Sequence, residues 1–138
     1  LVGVAAGVAG AEVAQRLTED SGEGETVVAV TPLDPLPTWL ATGDATVVRL
    51  ADGDRELRVD LNVTTAPSRD PGFREVWLVD RGVTKFVSLG VLAGGTGSFV
   101  IPAALDLADY PVVDISLEPY DGQPAHSGDS IARGILPT

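Results

Sequence analysis

The sequence predicts an all-β domain, an antiparallel β-sandwich of about eight short strands. Two segments, 57–64 and 113–118, alternate apolar and polar residues with the period of two that is typical of a half-buried strand, so their polar positions are expected to face solvent. Turn-forming residues separate the β-rich segments at intervals of roughly 8–12 residues, as they do in sandwiches and barrels. With 138 residues, 44% of them hydrophobic, the chain is long enough to bury a core as one domain.

The first three predicted strands lie in the first half of the chain. The segment 26–31 is β-rich and is expected to end at the prolines that follow, because proline lacks the N–H that a sheet uses. A second strand at 44–51 leads into Asp-Gly-Asp at 52–54, a sequence typical of a tight hairpin. The third strand is the alternating segment 57–64. Its polar face includes Asn62, which begins a glycosylation sequon and is expected to be exposed.

The second half of the chain continues with strands and turns. The strand at 75–79 is apolar on both faces, so we expect it in the centre of a sheet. Arg81 and Gly82 mark a turn, and the glycine-rich segment 94–97 is expected to be a hairpin connection. One helical turn is expected at 105–110 and a loop at 119–129. The predicted strands of this half are 75–79, 85–91, 98–101, 113–118 and 130–136.

The composition excludes several classes of function. The chain has 20 acidic and 9 basic residues, a formal net charge of −11, whereas nucleic-acid binding needs clustered Lys and Arg. It has no cysteine, which excludes disulfides, cysteine-based zinc sites and thiol nucleophiles. We expect no cofactor, no metal ion and no catalytic residue.

Residues 1–25 are expected to be separate from the sandwich at 26–138. Residues 1–11 are uncharged and contain only Leu, Val, Gly and Ala, but a membrane span needs about 20 apolar residues. We expect this run to be the outer end of a transmembrane helix that begins upstream of Leu1. The tail of a signal peptide and a short buried strand or helix remain alternatives. The acidic, glycine-containing segment 12–25 is typical of a solvated stalk.

The only histidine, His126, lies near Ser127 and Ser130 in the loop that precedes the last strand. A hydrolase would need a serine beside a histidine that a carboxylate orients. The residues crowd into one loop without a nucleophile elbow, which favours a polar surface loop, although the hydrolase stays an alternative. The Asp-Gly pairs at 52–54 and 121–122 offer oxygen ligands for calcium, but turn chemistry accounts for both.

The two tryptophans are expected to have structural roles. Trp77 lies in the strand that is apolar on both faces, and we expect it to anchor the core. Trp39 follows a proline-rich bend and is expected to cover one end of the sandwich. A groove carrying Trp39 would instead indicate a secreted or surface binding module for a small molecule, glycan or protein partner. This second function stays open on the sequence.

Two segments resemble the extracytoplasmic C-terminal domain of RskA-type anti-sigma factors, the anti-sigma-K factor family. The strand 73–79 matches its aromatic-x-Glu-Val-Trp-Leu pattern, and 113–119 matches its late Val-x-Ile-Ser-x-Glu-Pro run. A glycine turn and a Pro–small–Gly loop follow, although 124–129 departs from the Pro-Thr-Gly-Pro of many members. The residues that carry the resemblance are Glu75, Val76, Trp77, Leu78, Ile115, Ser116, Glu118, Pro119, Gly122 and Gly128.

The resemblance implies the extracytoplasmic sensory half of a bacterial single-pass membrane protein. A sigma factor would be bound only through a cytoplasmic module that this sequence lacks. Sigma release would follow regulated proteolysis, first in the stalk by a site-1-type protease and then within the membrane. The sandwich would keep the stalk inaccessible, and an open edge strand allows a homodimer. The candidate proteolysis positions are Glu19, Asp20, Ser21 and Gly22.

Overall fold

The computed structural model describes residues 23–65 and 70–137, and the predicted cleavage positions Glu19, Asp20, Ser21 and Gly22 lie outside them. The described residues contain eight strands: β1 (Thr26–Pro35), β2 (Leu40–Arg49), β3 (Arg55–Thr65), β4 (Gly72–Val79), β5 (Phe86–Leu92), β6 (Thr96–Ile101), β7 (Val112–Pro119) and β8 (Ser130–Ile135). All neighbouring pairs are antiparallel, in the order β5-β4-β7-β8-β1-β2-β3-β6. The prediction of an all-β fold with about eight antiparallel strands is confirmed.

The sheet bends back on itself until its two end strands meet. The first part of β1, 26–33, pairs with β2, and its last two residues, Asp34 and Pro35, pair with β8. The two end strands, β5 and β6, come close at Gly90 and Phe99. The backbone of Gly90 lies so near the Phe99 ring that an added Cβ would be only 3.2 Å from it. The sheet is therefore nearly closed, with β1 as the strand that joins its two halves.

Alternate residues along the strands fill the space inside the nearly closed sheet. The side chains of Leu57, Leu61, Ile115 and Ile131 are among those fully buried there. Their positions follow the period-two pattern of the sequence, because successive side chains of a strand point to opposite faces. The exposed face of β3 includes Asn62, as predicted.

The first strand is longer than the sequence predicts. It continues through Pro32 to Pro35, so the expectation that the prolines would end it is wrong. Pro32 and Pro35 flank the point where β1 changes partner, since Leu33 makes the last pair with β2. Proline is tolerated where ladder bonding is interrupted, and a change of partner is such a place.

Of the two hairpin turns predicted at 52–54 and 94–97, only the first joins two paired strands. The turn at 52–54 joins β2 to β3, and the Leu50 N–H donates to the Asp54 carbonyl over 2.7 Å, which confirms the hairpin. The segment 94–97 is not a hairpin connection. Its last two residues, Thr96 and Gly97, begin β6 and pair with β3, at the end of the sheet opposite β5.

The hairpin between β4 and β5 is fixed by one carboxylate. Asp80 accepts hydrogen bonds from the backbone N–H of Lys85 and from the hydroxyl and N–H of Thr84. These bonds, that from the Lys85 backbone first, lower the pKa of Asp80 to about 2. The predicted turn at Arg81 and Gly82 is therefore held by local hydrogen bonds.

Candidate functional site

The outer face of β4, β7 and β8 is covered by the loop 120–129, which we call the strap. We call the nearly closed sheet the barrel. Beneath the strap, three polar residues of β7 point away from the interior of this barrel: Asp114, Ser116 and Glu118. They are only 0%, 0% and 3% exposed. The expectation that these positions face solvent is wrong, because a single strand's alternation does not show whether a loop folds over its polar face.

A chain of hydrogen bonds runs across this outer face. The Trp77 indole Nε1–H donates to Ser116 Oγ over 2.9 Å, and the Ser116 hydroxyl donates to Glu118 Oε2 over 2.5 Å. The same Glu118 oxygen accepts the backbone N–H of Ser127 in the strap, over 3.1 Å. Both family-like segments, 73–79 and 113–119, therefore meet in one network that holds the strap.

His126 is the part of the strap that reaches deepest. Its side chain is 7% exposed, and its ring lies 5.1 Å from that of Trp77 and 4.6 Å from that of Phe86, measured between centroids. The Gly128 N–H donates to Nδ1 over 2.9 Å, so the proton of the neutral ring is on Nε2, which donates to Asp114 Oδ1. The prediction of a polar surface loop is wrong for His126, although 121–125 is exposed.

Asp114 is the centre of the buried polar group. Its Oδ2 accepts the Ser130 hydroxyl over 2.7 Å and Arg133 Nε–H over 2.8 Å, while Oδ1 accepts His126. Burial raises the pKa of Asp114, but the hydrogen bonds from these three residues and the charge of Arg133 outweigh it, so that the pKa is lowered. The carboxylate is thus ionised and its charge is balanced by Arg133.

The arrangement around His126 differs from that of a serine hydrolase. A catalytic triad places serine and carboxylate on opposite ring nitrogens of histidine. Here Ser130 Oγ lies 3.5 Å from Nε2, the nitrogen that already contacts Asp114, and its proton goes to that carboxylate. The Ser127 hydroxyl donates to the Leu117 carbonyl over 2.7 Å. Neither serine has the geometry that the hydrolase alternative requires.

Trp39 binds the last residue of the strap from the side of the main core. It is 6% exposed and packs in the main core, and its Nε1–H donates to Asp129 Oδ1 over 3.1 Å. Its ring is therefore not an exposed platform of the kind that the binding-module alternative needs.

The remaining predicted motif residues have separate structural positions. Val76 and Leu78 are fully buried in the main core, whereas Glu75 accepts a hydrogen bond from the Ser88 hydroxyl across β4 and β5. Gly122 and Gly128 have φ angles of 76° and 87°, which favour glycine. Ile115 is in the core, and Pro119 ends β7 at an exposed position.

The Asp-Gly turns show the chemistry that the sequence suggests. Asp52 accepts the N–H of Asp54, and Asp121 accepts the N–H of Gln123. Within 23–65 and 70–137, no three histidine or acidic side chains are grouped so that they could hold a metal ion. The same part of the chain contains no helix whose length and hydropathy would allow it to cross a membrane.

Sequence reasoning missed the buried group formed by Asp114, Ser130 and Arg133. A signal for it was present in β4, which is apolar on both faces. Its outward-facing residues Trp77 and Val79 are buried and need a cover, which the strap and Phe86 provide. The chain segment that forms the cover was not readable, because its position depends on contacts between strands far apart in sequence.

The comparisons with known proteins identify the family of this chain. A family model described as anti-sigma-K factor rskA, C-terminal, matches residues 1–130. No curated protein and no solved structure matches the chain. The family match covers both β4 and β7, whose residues form the network beneath the strap. The chain belongs to the family of anti-sigma-K factor RskA C-terminal domains.

Proposed function

We propose that this domain is the extracytoplasmic regulatory part of a membrane-anchored anti-sigma factor, and that its folded body controls proteolytic access to the stalk. The observation that carries the proposal is the family match over residues 1–130, which includes the apolar and acidic segment ahead of β1 as well as strands β1 to β7. A sigma factor is the partner that an anti-sigma factor implies. In this proposal it is bound by a separate cytoplasmic module.

An ion pair lies where the proposed stalk joins the barrel. Arg58 of β3 donates from Nη1 and Nη2 to the two carboxylate oxygens of Glu25, over 3.1 and 2.8 Å. The bond to Glu25 is the main reason that the pKa of Arg58 is raised. Glu25 directly precedes β1, so this pair holds the residue before the strand against β3.

This geometry supports a division of the chain near residue 25. A protease needs an extended, accessible backbone, and the strands of the barrel do not offer one while they are paired. The acidic segment before Glu25 has the composition of a flexible linker. Loosening the start of β1 would lengthen the backbone that a first protease can reach, and this would increase release of the sigma factor.

The test uses the full-length protein in its native membrane. Arg58→Gln removes the pair with Glu25 together with a second pair to Glu56 within β3, and Arg81→Gln is the matched control, because it removes one charge from an exposed turn. The amino terminus of the cleaved fragment is read by mass spectrometry, and a sigma-dependent reporter measures release. We expect cleavage ahead of residue 26 in all forms, faster in Arg58→Gln and unchanged in Arg81→Gln.

Two outcomes would contradict the proposal. One is a first cleavage inside the barrel of the unaltered protein. The other is a reporter that stays at its basal level when residues 26–138 are deleted and the stalk is fully accessible. An effect of Arg81→Gln as large as that of Arg58→Gln would show that net charge alone, rather than the ion pairs of Arg58, governs cleavage.

A further inference from the structure

A groove of about 440 Å³ opens at one end of the barrel, beside the hairpin that joins β2 to β3. The exit of the chain from β6 forms its opposite wall. The groove is distinct from the strap, and the Asp-Gly-Asp turn at 52–54 contributes Gly53 and Asp54 to its lining. Its lining residues that carry the argument are Arg49, Asp54, Arg55, Ile101, Leu105 and Asp106.

Two arginines lie at inward-facing positions of this barrel end. Arg49 pairs directly with Arg55, which pairs in turn with Ile101. Residues directly opposite each other share a face of the sheet, and Ile101 is 2% exposed in the core. Both arginines therefore lie on the face of the sheet that lines the barrel. Small-molecule sites are common at the mouths of barrels.

The two guanidinium groups differ in what they bind. Arg55 Nη2 donates to the carbonyl oxygens of Pro102 and Leu105 over 3.0 and 2.6 Å, and so fixes the far wall of the groove. Arg49 is exposed, and among the described residues it makes no side-chain hydrogen bond or ion pair. In a chain of net charge −11, an inward-facing arginine without a carboxylate partner is available to an anion.

We propose that the groove binds a small hydroxylated anion, such as a sugar acid. The planar guanidinium of Arg49 matches a carboxylate in a two-bond geometry. The carboxylates of Asp54 and Asp106 supply acceptors for hydroxyl groups, and the half-buried Leu105 with the exposed Ala103 and Ala104 supplies an apolar surface for ring carbons. A ligand with one anionic end and several hydroxyls fits this set of charges.

The groove also lies beside the start of β1. Thr26 pairs with Arg49, and a Cβ added to Gly24 would lie 3.0 Å from the Cβ of Ala51. A ligand on Arg49 would therefore stiffen the strand end next to the proposed stalk. This coupling rests on the proposed function, whereas the binding itself does not.

Isothermal titration calorimetry of the 138-residue chain at low ionic strength tests the binding, with D-glucuronate as the probe. D-glucose, which lacks the carboxylate, is the control for the charge. Inorganic phosphate, which lacks the sugar hydroxyl groups, is the control for those groups. We expect saturable binding of glucuronate that Arg49→Gln weakens by about tenfold or more and Arg81→Gln leaves unchanged. Arg49→Lys keeps the charge but loses the fork, and is expected to give an intermediate loss.

Absence of glucuronate binding, or equal affinity in Arg49→Gln, would overturn the proposal. Phosphate or glucose binding as tightly as glucuronate would overturn the assignment of a hydroxylated anion. The coupling has its own readout, which is the cleavage rate of the full-length protein with and without glucuronate. Binding without a change in cleavage would overturn the coupling alone, and slower cleavage would support it.

Discussion

The interior of the barrel and the covered outer face of β4, β7 and β8 are both buried from solvent, but they are stabilised in different ways. Inside, side chains such as Leu57 and Ile115 are apolar and 0% exposed. Beneath the strap, Asp114 and Ser116 are also 0% exposed, yet each is polar and hydrogen-bonded. The difference shows that burial in this fold has two sources, the closure of the sheet and the docking of one loop.

The largest effect is expected from the interior. Leu57→Ala removes a fully buried side chain and leaves a cavity, so the free energy of unfolding should fall by about 4 kcal/mol. Urea unfolding monitored by circular dichroism measures it. The exposed valine of β6, Val100→Ala, is the control and should change little, since it is 68% exposed. A loss below about 1 kcal/mol for Leu57→Ala would show that the interior is loosely packed.

The outer face is tested by Asp114→Asn. The substitution keeps the size of the side chain but removes the charge that Arg133 and His126 contact. It also places the NH2 group of an amide, a hydrogen-bond donor, next to groups that are themselves donors. We expect the free energy of unfolding to fall by about 3 kcal/mol at neutral pH. Asp121→Asn, in the exposed part of the strap, is the control. Equal effects of the two substitutions would mean that the buried group contributes no more than a surface turn.

Acid unfolding should sharpen the same contrast. The pKa of Asp114 is lowered in the folded state, so its contribution is complete above the ordinary aspartate pKa of about 4 and is lost as the pH falls through the folded value. Stability measured from pH 5 downwards should therefore fall less steeply in Asp114→Asn than in the unaltered protein. Asp121→Asn, in the exposed part of the strap, is the control for the loss of one carboxylate and should leave the slope close to that of the unaltered protein. Parallel pH profiles for the unaltered protein and Asp114→Asn would contradict this.

The smallest effect is expected from the hydrogen-bond chain. Trp77→Phe keeps an aromatic ring against His126 but removes the Nε1–H that Ser116 accepts, which should cost about 1 kcal/mol. Thermal unfolding measures the loss, and limited proteolysis within 121–125 reports whether the strap is looser. In Trp39→Phe the equivalent donor to Asp129 is lost. If Trp39→Phe loosens the strap and Trp77→Phe does not, the strap is fastened mainly from the core side.

The interior was largely predictable because it depends on local pattern. The alternation at 57–64 placed Leu57 and Leu61 inward, and the Asp-Gly-Asp turn at 52–54 set the hairpin. The length of β1 was not predictable from the same pattern. It continues through Pro32 and Leu33 on β2, and its last two residues, Asp34 and Pro35, depend on a change of partner to β8, near the other end of the chain.

The covered face was only half predictable. The apolar outer positions of β4 indicate that something must cover Trp77, and the two family-like segments contain Ser116 and Glu118, which are hydrogen-bonded to each other beneath the strap. Their roles follow from a cross-strand pairing that brings β4 beside β7. No local pattern shows that His126 turns inward, because its burial depends on Phe86 of β5.

The joining role of β1 has a consequence for how the chain folds. The three-stranded unit β1-β2-β3 and the pair β7-β8 connect segments close in sequence, so their loops close at small entropic cost. The ladder between Pro35 of β1 and Ala132 of β8 joins nearly the two ends of the described chain. Contacts of such high sequence separation form slowly. Closure between the halves is therefore expected to be the late, rate-limiting step, after both halves have assembled.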